Sequence, residues 1–254
     1  AAAHRNGALL LTAAASVPAS VLAEIRRLAP AEIVVVGGTG VVSVNAYNQL
    51  RSIQPNIRRD AGADRYSTSA VLSSRAFGTN VAHAYLVTGA NYPDALAASA
   101  AAGSSGSPVV LVQPGASLTA ANRATLISLG VDRVTIVGGT GALSTGIERG
   151  LRTLLGTENV TRISGASRSV TSAAVNNATF TSASEAFLAF EGGFADSLGG
   201  SALAGGLDAP LYLVPSSCIP KAVSDSMLRL GVTKINLLGG TGVLSTAVEN
   251  VRVC

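Results

Sequence analysis

Three kinds of residue recur along this chain at spacings that matter chemically. Arginines come first: Arg59-x-x-Gly62-Ala63-x-Arg65 returns as Arg162-x-x-Gly165-Ala166-x-Arg168. A guanidinium presents a planar fork of donors that matches a carboxylate or a phosphate. Arg65 and Arg168 stand where helices should begin, beside backbone N–H groups that lack intrahelical partners. That is anion-binding chemistry. The competing reading is an internal ion pair, with Asp94 and Asp196 as partners. These aspartates recur too, in Tyr92-Pro93-Asp94-Ala95-Leu96 and Phe194-Ala195-Asp196-Ser197-Leu198. Each is a lone acid in its motif, so acid–base catalysis lacks its second carboxylate, and a place at the positive end of a helix accounts for it.

The third recurring group is an apolar run followed by Gly-Gly-Thr-Gly, with first glycines Gly37, Gly138 and Gly239, one every 101 residues. A glycine-rich turn after a strand invites a nucleotide-binding reading. That fingerprint needs Gly-x-Gly-x-x-Gly and an acid about 20 residues further on. Here Ser43, Ser144 and Ser245 occupy the third position, and the acid is present after the first copy (Asp60) but replaced by Arg162 after the second. The turn therefore reads as architectural, and no cofactor is expected. The two histidines, His4 and His83, recur in no other unit and lie far from both cysteines. Neither a nucleophile–histidine pair nor a metal-ligand spacing emerges.

The elements that must carry these motifs alternate. Ala84–Thr88, Val109–Val112, Val134–Val137 and Val160–Ile163 are short apolar runs of strand type. Helical stretches separate them: one opened by Pro93 and Asp94, one over Leu118–Leu129 closed by Gly130, one led by a Thr145/Glu148 capping box that recurs as Thr246/Glu249, and one from about Ser169. Strands that read apolar throughout point to parallel sheets covered on both faces. The expected fold is a tandem of small doubly wound α/β subdomains, Rossmann- or flavodoxin-like. Partial repeat 1 spans residues 1–57, repeat 2 spans 58–158 and repeat 3 spans 159–254. The small-residue helices Ala95–Ala102 and Ser197–Ala204 are expected where subdomains pack on each other.

Composition limits the partners. Hydrophobic residues are 48% of 254 and charged residues 13%, so a sizeable core forms and disorder is excluded. Net charge is +4, which favours anionic partners. There is no dense basic run and aromatics are 4%, against a nucleic-acid binder. No stretch reaches the ~20 apolar residues of a membrane span, and the start is not a signal peptide. Cys218 and Cys254 are the only cysteines, and a bridge between them would pin the final residue. That pairing implies an oxidising compartment and hence secretion. Two buried free thiols are the alternative.

In this order, Arg59 to Thr68 (Arg-x-x-Gly-Ala-Asp-Arg-Tyr-x-Thr), Asn91 to Leu96, Pro108 to Val112 and Val-Gly-Gly-Thr-Gly resemble the cell-wall-binding repeat 2 family over nearly the whole chain. The resemblance implies three copies packed about a pseudo-threefold axis. It also implies a non-catalytic module that tethers a secreted protein, with an effector domain outside this chain, to an anionic secondary wall polysaccharide or teichoic-acid-like polymer of a Gram-positive envelope. It links polymer binding to an apolar strand motif, here Leu9-Leu10-Leu11, Val109-Val110-Leu111 and Leu211-Tyr212-Leu213. Read on their own, those residues are core. The chain departs from the pattern where Ser167 and Ser169 stand in place of the acidic and aromatic residues Asp64 and Tyr66. Its Arg-rich, Lys-poor composition suits a high-GC, actinobacterial source. A self-assembling surface-layer protein is the second expectation, and an enzyme on a doubly wound scaffold the third.

Overall fold

The computed structural model describes all 254 residues. After one 3-10 turn at Ala3–Arg5, the chain forms α1 (Ala19–Leu28), β1 (Ile33–Val36), α2 (Val44–Arg51) and β2 (Ile57–Asp60). Helix α3 (Arg65–Phe77) leads to β3 (His83–Thr88), α4 (Pro93–Ser104), β4 (Val109–Val112), α5 (Ala120–Leu129), β5 (Arg133–Val137), α6 (Thr145–Leu155) and β6 (Val160–Ile163). Helix α7 (Arg168–Thr179) leads to β7 (Glu185–Phe190), α8 (Ala195–Gly206), β8 (Leu211–Val214), α9 (Lys221–Leu230), β9 (Lys234–Leu238) and the single turn α10 (Thr246–Glu249). The strands form three sheets, β1-β2, β4-β3-β5-β6 and β8-β7-β9, and every strand pairing is parallel.

The middle sheet shows why its strands read apolar on both sides. Ala84 and Leu86 of β3 join a core built with Leu126 and Leu129 of α5 and Ile147 and Leu151 of α6. The alternate residues Tyr85 and Val87 pack with Ala98, Ala101 and Ala102 of α4 and Val175 of α7. Successive side chains of a strand point to opposite faces, so burying both faces favours apolar residues at successive positions, with Thr88 and Thr135 the buried polar exceptions in β3 and β5. Helix α4 packs on α8, and its alanines do the work of a close contact. A Cβ added to Gly103 would lie 2.9 Å from Cα of Gly205, so the two backbones nearly touch. Both small-residue helices thus lie between units, as expected.

Helix ends follow local chemistry. Gly130 closes α5 at φ 61°, and its N–H donates to the Leu126 and Ile127 carbonyls. Two sequence expectations are corrected here. The cap of α6 is Ser144, whose hydroxyl accepts from the Ile147 N–H, so Thr145/Glu148 is not a capping box. Ser245 likewise precedes α10, which displaces the Thr246/Glu249 pair as well, although no side-chain cap bond forms there. Leu9-Leu10-Leu11 is not a strand. In the other units the matching strands β4 and β8 pair with β3 and β7, and the first unit contains no strand in that place to pair with.

The sheets are also out of step with the sequence units. Strand β6 opens repeat 3 in sequence but completes the sheet of repeat 2. Helix α3 follows the first sheet yet covers the second, where the Ser69 hydroxyl accepts from the Leu111 N–H at 3.1 Å. Ser172 of α7 does the same for Leu213 at 3.1 Å, fully buried. The cysteines form a disulfide between Cys218 and Cys254. An isolated parallel bridge, Ile219 with Val253, sits beside it, with Cys254 N–H donating to the Ile219 carbonyl at 3.0 Å. No helix is long and apolar enough to cross a membrane.

Candidate functional site

In a sheet ordered β4-β3-β5-β6 the chain moves outward from β3 to β4 and then crosses back to β5. The crevice between the carboxyl ends of β3 and β5 is therefore the switch point, where doubly wound folds place their ligands. In this protein the crevice holds a side chain of the protein itself. After β5 the chain turns at Gly138, with φ 111°, a conformation open to glycine. A Cβ built there would lie 2.3 Å from Oδ2 of Asp94, in the first turn of α4. The third unit repeats the arrangement: Gly239 has φ 112°, and its Cβ would lie 2.9 Å from Oδ2 of Asp196. Gly37 has the same backbone, φ 104°, but a Cβ there meets only Val41 of its own turn. The three glycines thus share one geometry, and the first lacks its aspartate.

The arginines divide into two pairs. Arg59 and Arg162 tie down the glycine turns: Nη1 of each donates to the carbonyl of Gly37 (2.6 Å) or Gly138 (2.7 Å). Arg162 also donates to the Leu143 carbonyl and to Glu148, while Arg59 stacks over Tyr47. Arg65 and Arg168 begin α3 and α7 and are exposed. Nη1 of each donates at 2.8 Å to one carbonyl beyond the next strand, Gly89 and Glu191 respectively. Neither makes the ion pair with Asp94 or Asp196 that the sequence suggested. Burial raises the Asp94 carboxyl above its usual range, and the positive charge of Arg168, from the following unit, partly offsets that. The coupling is therefore between Arg168 and the aspartate of the unit before it.

The apolar motif is split by its surroundings. Leu211, Tyr212 and Leu213 are wholly buried in β8, and Val110 in β4 is buried with them in the core. Val109 and Leu111 are half-buried. In the first unit Leu9 is half-buried, while Leu10 and Leu11 are exposed at 40% and 41%.

Several contacts escaped the sequence reading because they join residues far apart. The Tyr66 ring lies against Gly89, whose Cβ would come 2.3 Å from the ring. At the matching place in the next unit Ser169 donates to Glu191 at 2.8 Å, so a hydrogen bond replaces a packed ring. Ser167 accepts from the Val170 N–H as Asp64 accepts from that of Ser67, so that exchange keeps the cap. The Gly in Arg-x-x-Gly is explained as well. The N–H of Gly62 or Gly165 donates to Thr68 or Thr171, and an added Cβ would strike the following helix at 2.6 and 2.7 Å.

A tandem of small parallel sheets, the second and third closed at their switch points by their own aspartates, is a repeat-built binding scaffold. The chain belongs to the cell wall binding domain 2 (CWB2) family, whose model matches residues 59–148 and 162–249. The family places it among secreted surface proteins of the Gram-positive cell wall. It is 26% identical over 247 residues to the N-acetylmuramoyl-L-alanine amidase LytC of Bacillus subtilis (strain 168), covering 97% of this chain and 48% of that protein. It is 24% identical over 249 residues to the amidase enhancer of the same organism, covering 96% of this chain and 33% of that protein. Among solved structures it is similar to Cwp6 from Clostridium difficile (TM-score 0.86, 25% identity, 99% of this chain and 41% of that one). Cwp8 from Clostridium difficile gives a TM-score of 0.85 at 27% identity, over 98% and 43%. The chain spans half or less of the length of these proteins.

Proposed function

We propose that this chain is a non-catalytic anchor that holds a secreted protein to an anionic secondary wall polymer, teichoic-acid-like in charge, on an actinobacterial envelope. Its repeating units are 1–57, 58–158 and 159–254, and the effector region lies outside it. The observation that carries this reading is the pair Arg65 and Arg168. They are exposed and equivalent, and each has a single guanidinium N–H engaged by the protein. The remaining donors suit phosphate or carboxylate on a polymer. Two weak sites on one scaffold gain affinity from effective concentration, with no deep pocket required. Leu10 and Leu11 are the exposed members of the apolar motif and the ones a polymer reaches, whereas Arg59 and Arg162 hold the turns in place. Co-sedimentation with purified walls tests the proposal. Binding is expected to weaken as salt screens exposed charges and to fall at least tenfold in a doubly substituted Arg65→Gln, Arg168→Gln protein. It is also expected to vanish on acid-stripped walls. Unchanged sedimentation under all three treatments would overturn it.

One observation favours the second reading, a self-assembling surface protein. Val36, Val41 and Val44 are exposed together on the open first unit, at 49%, 61% and 59%. Oligomers that grow with concentration in the absence of walls would support that reading over the first.

A further inference from the structure

The second and third sheets share one architecture, yet at the amino ends of their strands the residues differ in concert. His83 of β3 lies opposite Arg133 of β5 in register, and Glu185 of β7 lies opposite Lys234 of β9. In the third unit this place is closed. Oε2 of Glu185 accepts from Nζ of Lys234 and from Nδ2 of Asn236, both at 2.9 Å. In the second unit the acid is gone. His83 Nε2 shares a hydrogen bond with Thr135 Oγ1 at 2.9 Å, and its Nδ1 shares one with Ser107 Oγ at 3.3 Å. An imidazole gives a guanidinium no negative charge to pair with, and Arg133 is exposed and makes no ion pair. Beyond the small-residue helices, Ser105 and Ser107 stand where the third unit has Leu207 and Ala209, and the Ser105 hydroxyl donates to that of Ser107 at 3.0 Å. Arg133, His83 and the two serines line a cleft of about 470 Å³ with Asn80 and His4, and no carboxylate lines it.

We propose that this cleft binds a phosphoryl group borne on a larger polar molecule, held between Arg133 and His83 with the serine hydroxyls completing the contact. A guanidinium fork and hydroxyl donors are the side chains that suit phosphoryl oxygens. Glu185 shows that a carboxylate here serves two donors. The second unit offers more donors, on both sides of the cleft, and a tetrahedral group with three oxygens reaches them together. The volume is that of a small-molecule site, so the group arrives with a polar remainder, which Asn80 and Ser105 are placed to meet. Burial, and after it the positive charge of Arg133, holds the His83 imidazole below its usual range. An anion between the two side chains reverses the second cause, so His83 takes up a proton as the ligand binds and affinity rises as pH falls. The charged and titratable groups that line the cleft with His83 are Arg133 from β5 and His4 from the opening 3-10 turn, whose ring stacks on Phe77 of α3 at 4.3 Å, while the turn after α4 presents hydroxyls. Arg65 and Arg168 bond carbonyls beyond the carboxyl ends of β3 and β7. The cleft is at the other end of the strands, so the inference goes beyond the anchoring reading.

The test is an NMR titration of the His83 side-chain resonances in the intact chain with glycerol 3-phosphate, with glycerol as the uncharged control. The expected result is a saturable shift with the phosphate ester, none with glycerol, and a rise in the His83 pKa at saturation. Arg133→Gln is expected to weaken binding at least about tenfold, the range of a lost charge-assisted hydrogen bond. His83→Glu rebuilds the ion pair of the third unit, so calorimetry should find binding abolished and Tm undiminished. Ser105→Leu, which installs the third unit's residue, should weaken binding severalfold. The Arg65→Gln, Arg168→Gln protein should bind glycerol 3-phosphate as tightly as wild type, which keeps failure of this site separate from failure of wall anchoring. Purified wall polymer that displaces glycerol 3-phosphate from His83 would assign the phosphoryl group to the polymer. Polymer that leaves it bound would assign it to a free small molecule, and either result supports the site. Absence of a saturable shift, an equal response to glycerol, a His83 pKa that does not rise, or binding indifferent to both Arg133→Gln and His83→Glu would overturn the proposal.

Discussion

Replacing Glu148 by glutamine removes a carboxylate that serves two arginines from two different elements. Its Oε1 accepts from Arg152 at 2.8 Å and its Oε2 from Arg162 at 2.9 Å. Arg162, 14% exposed, lies on β6, so the pair fastens α6 to the edge of its sheet and holds the arginine that braces the Gly138 turn. A charge-assisted hydrogen bond contributes about 1.5–3 kcal/mol, and the Arg152 contact, an i,i+4 pair in more water, about 0.3–0.5 kcal/mol. Glutamine keeps one acceptor, and Arg162 keeps the Gly138 and Leu143 carbonyls, so the expected loss is about 2 kcal/mol. For a domain of this size that lowers Tm by roughly 4–8 °C. Bonds from Arg152 and then Arg162 hold the Glu148 carboxyl below its usual range. A depressed carboxylate contributes stability above its unfolded pKa and loses it as pH falls through the folded value. The wild-type advantage over Glu148→Gln should therefore be full at pH 7 and shrink through the acid range below pH ~4.3. Calorimetry of both proteins at pH 7 and at several acidic values reads this directly. A difference under about 0.5 kcal/mol at neutral pH, or one that stays constant into acid, would refute the reasoning.

Three further outcomes are expected. Gly138→Ala should destabilise by more than Gly37→Ala, because both sites carry a positive φ but only the first meets an aspartate. Each pays about 1–2 kcal/mol for backbone strain, and denaturant melts of the two proteins report the excess. Converting Cys218 and Cys254 to serine, sequence separation 36, should cost about 4 kcal/mol by loop entropy, measured by urea titration. Arg168→Gln should raise the already elevated Asp94 pKa further, since the guanidinium is what opposes burial there, and a carboxyl-detected NMR titration follows it.

The order of strands and helices was readable because each depends on neighbours in sequence. Apolar runs, the Gly130 cap and the Pro93 helix start all declare themselves within a few residues. The repeat extended that reach, since Gly37, Gly138 and Gly239 predicted one another. What failed was long-range. Leu9–Leu11 has the composition of a strand, but pairing requires a second strand, and composition does not report whether one is present. Arg65 looked like a partner for Asp94, yet its bond goes to a backbone carbonyl at Gly89 that any residue could have supplied. Glu148 resembled a capping residue at three-residue spacing, while its decisive contact lies fourteen positions away on another element. Ser69 and Ser172 carried no signal at all, because a serine in a helix is ordinary until the strand it holds is known.

That α3 and α7 each leave one sheet and cover the next has a mechanical consequence. Cutting the gene at the sequence period would strip a neighbour of its lid, so no single repeat is separable by truncation at that point. Load transmitted along the backbone meets a woven seam in which yielding of one layer exposes the adjoining one. The expected response to pulling is a single abrupt rupture with few intermediate steps.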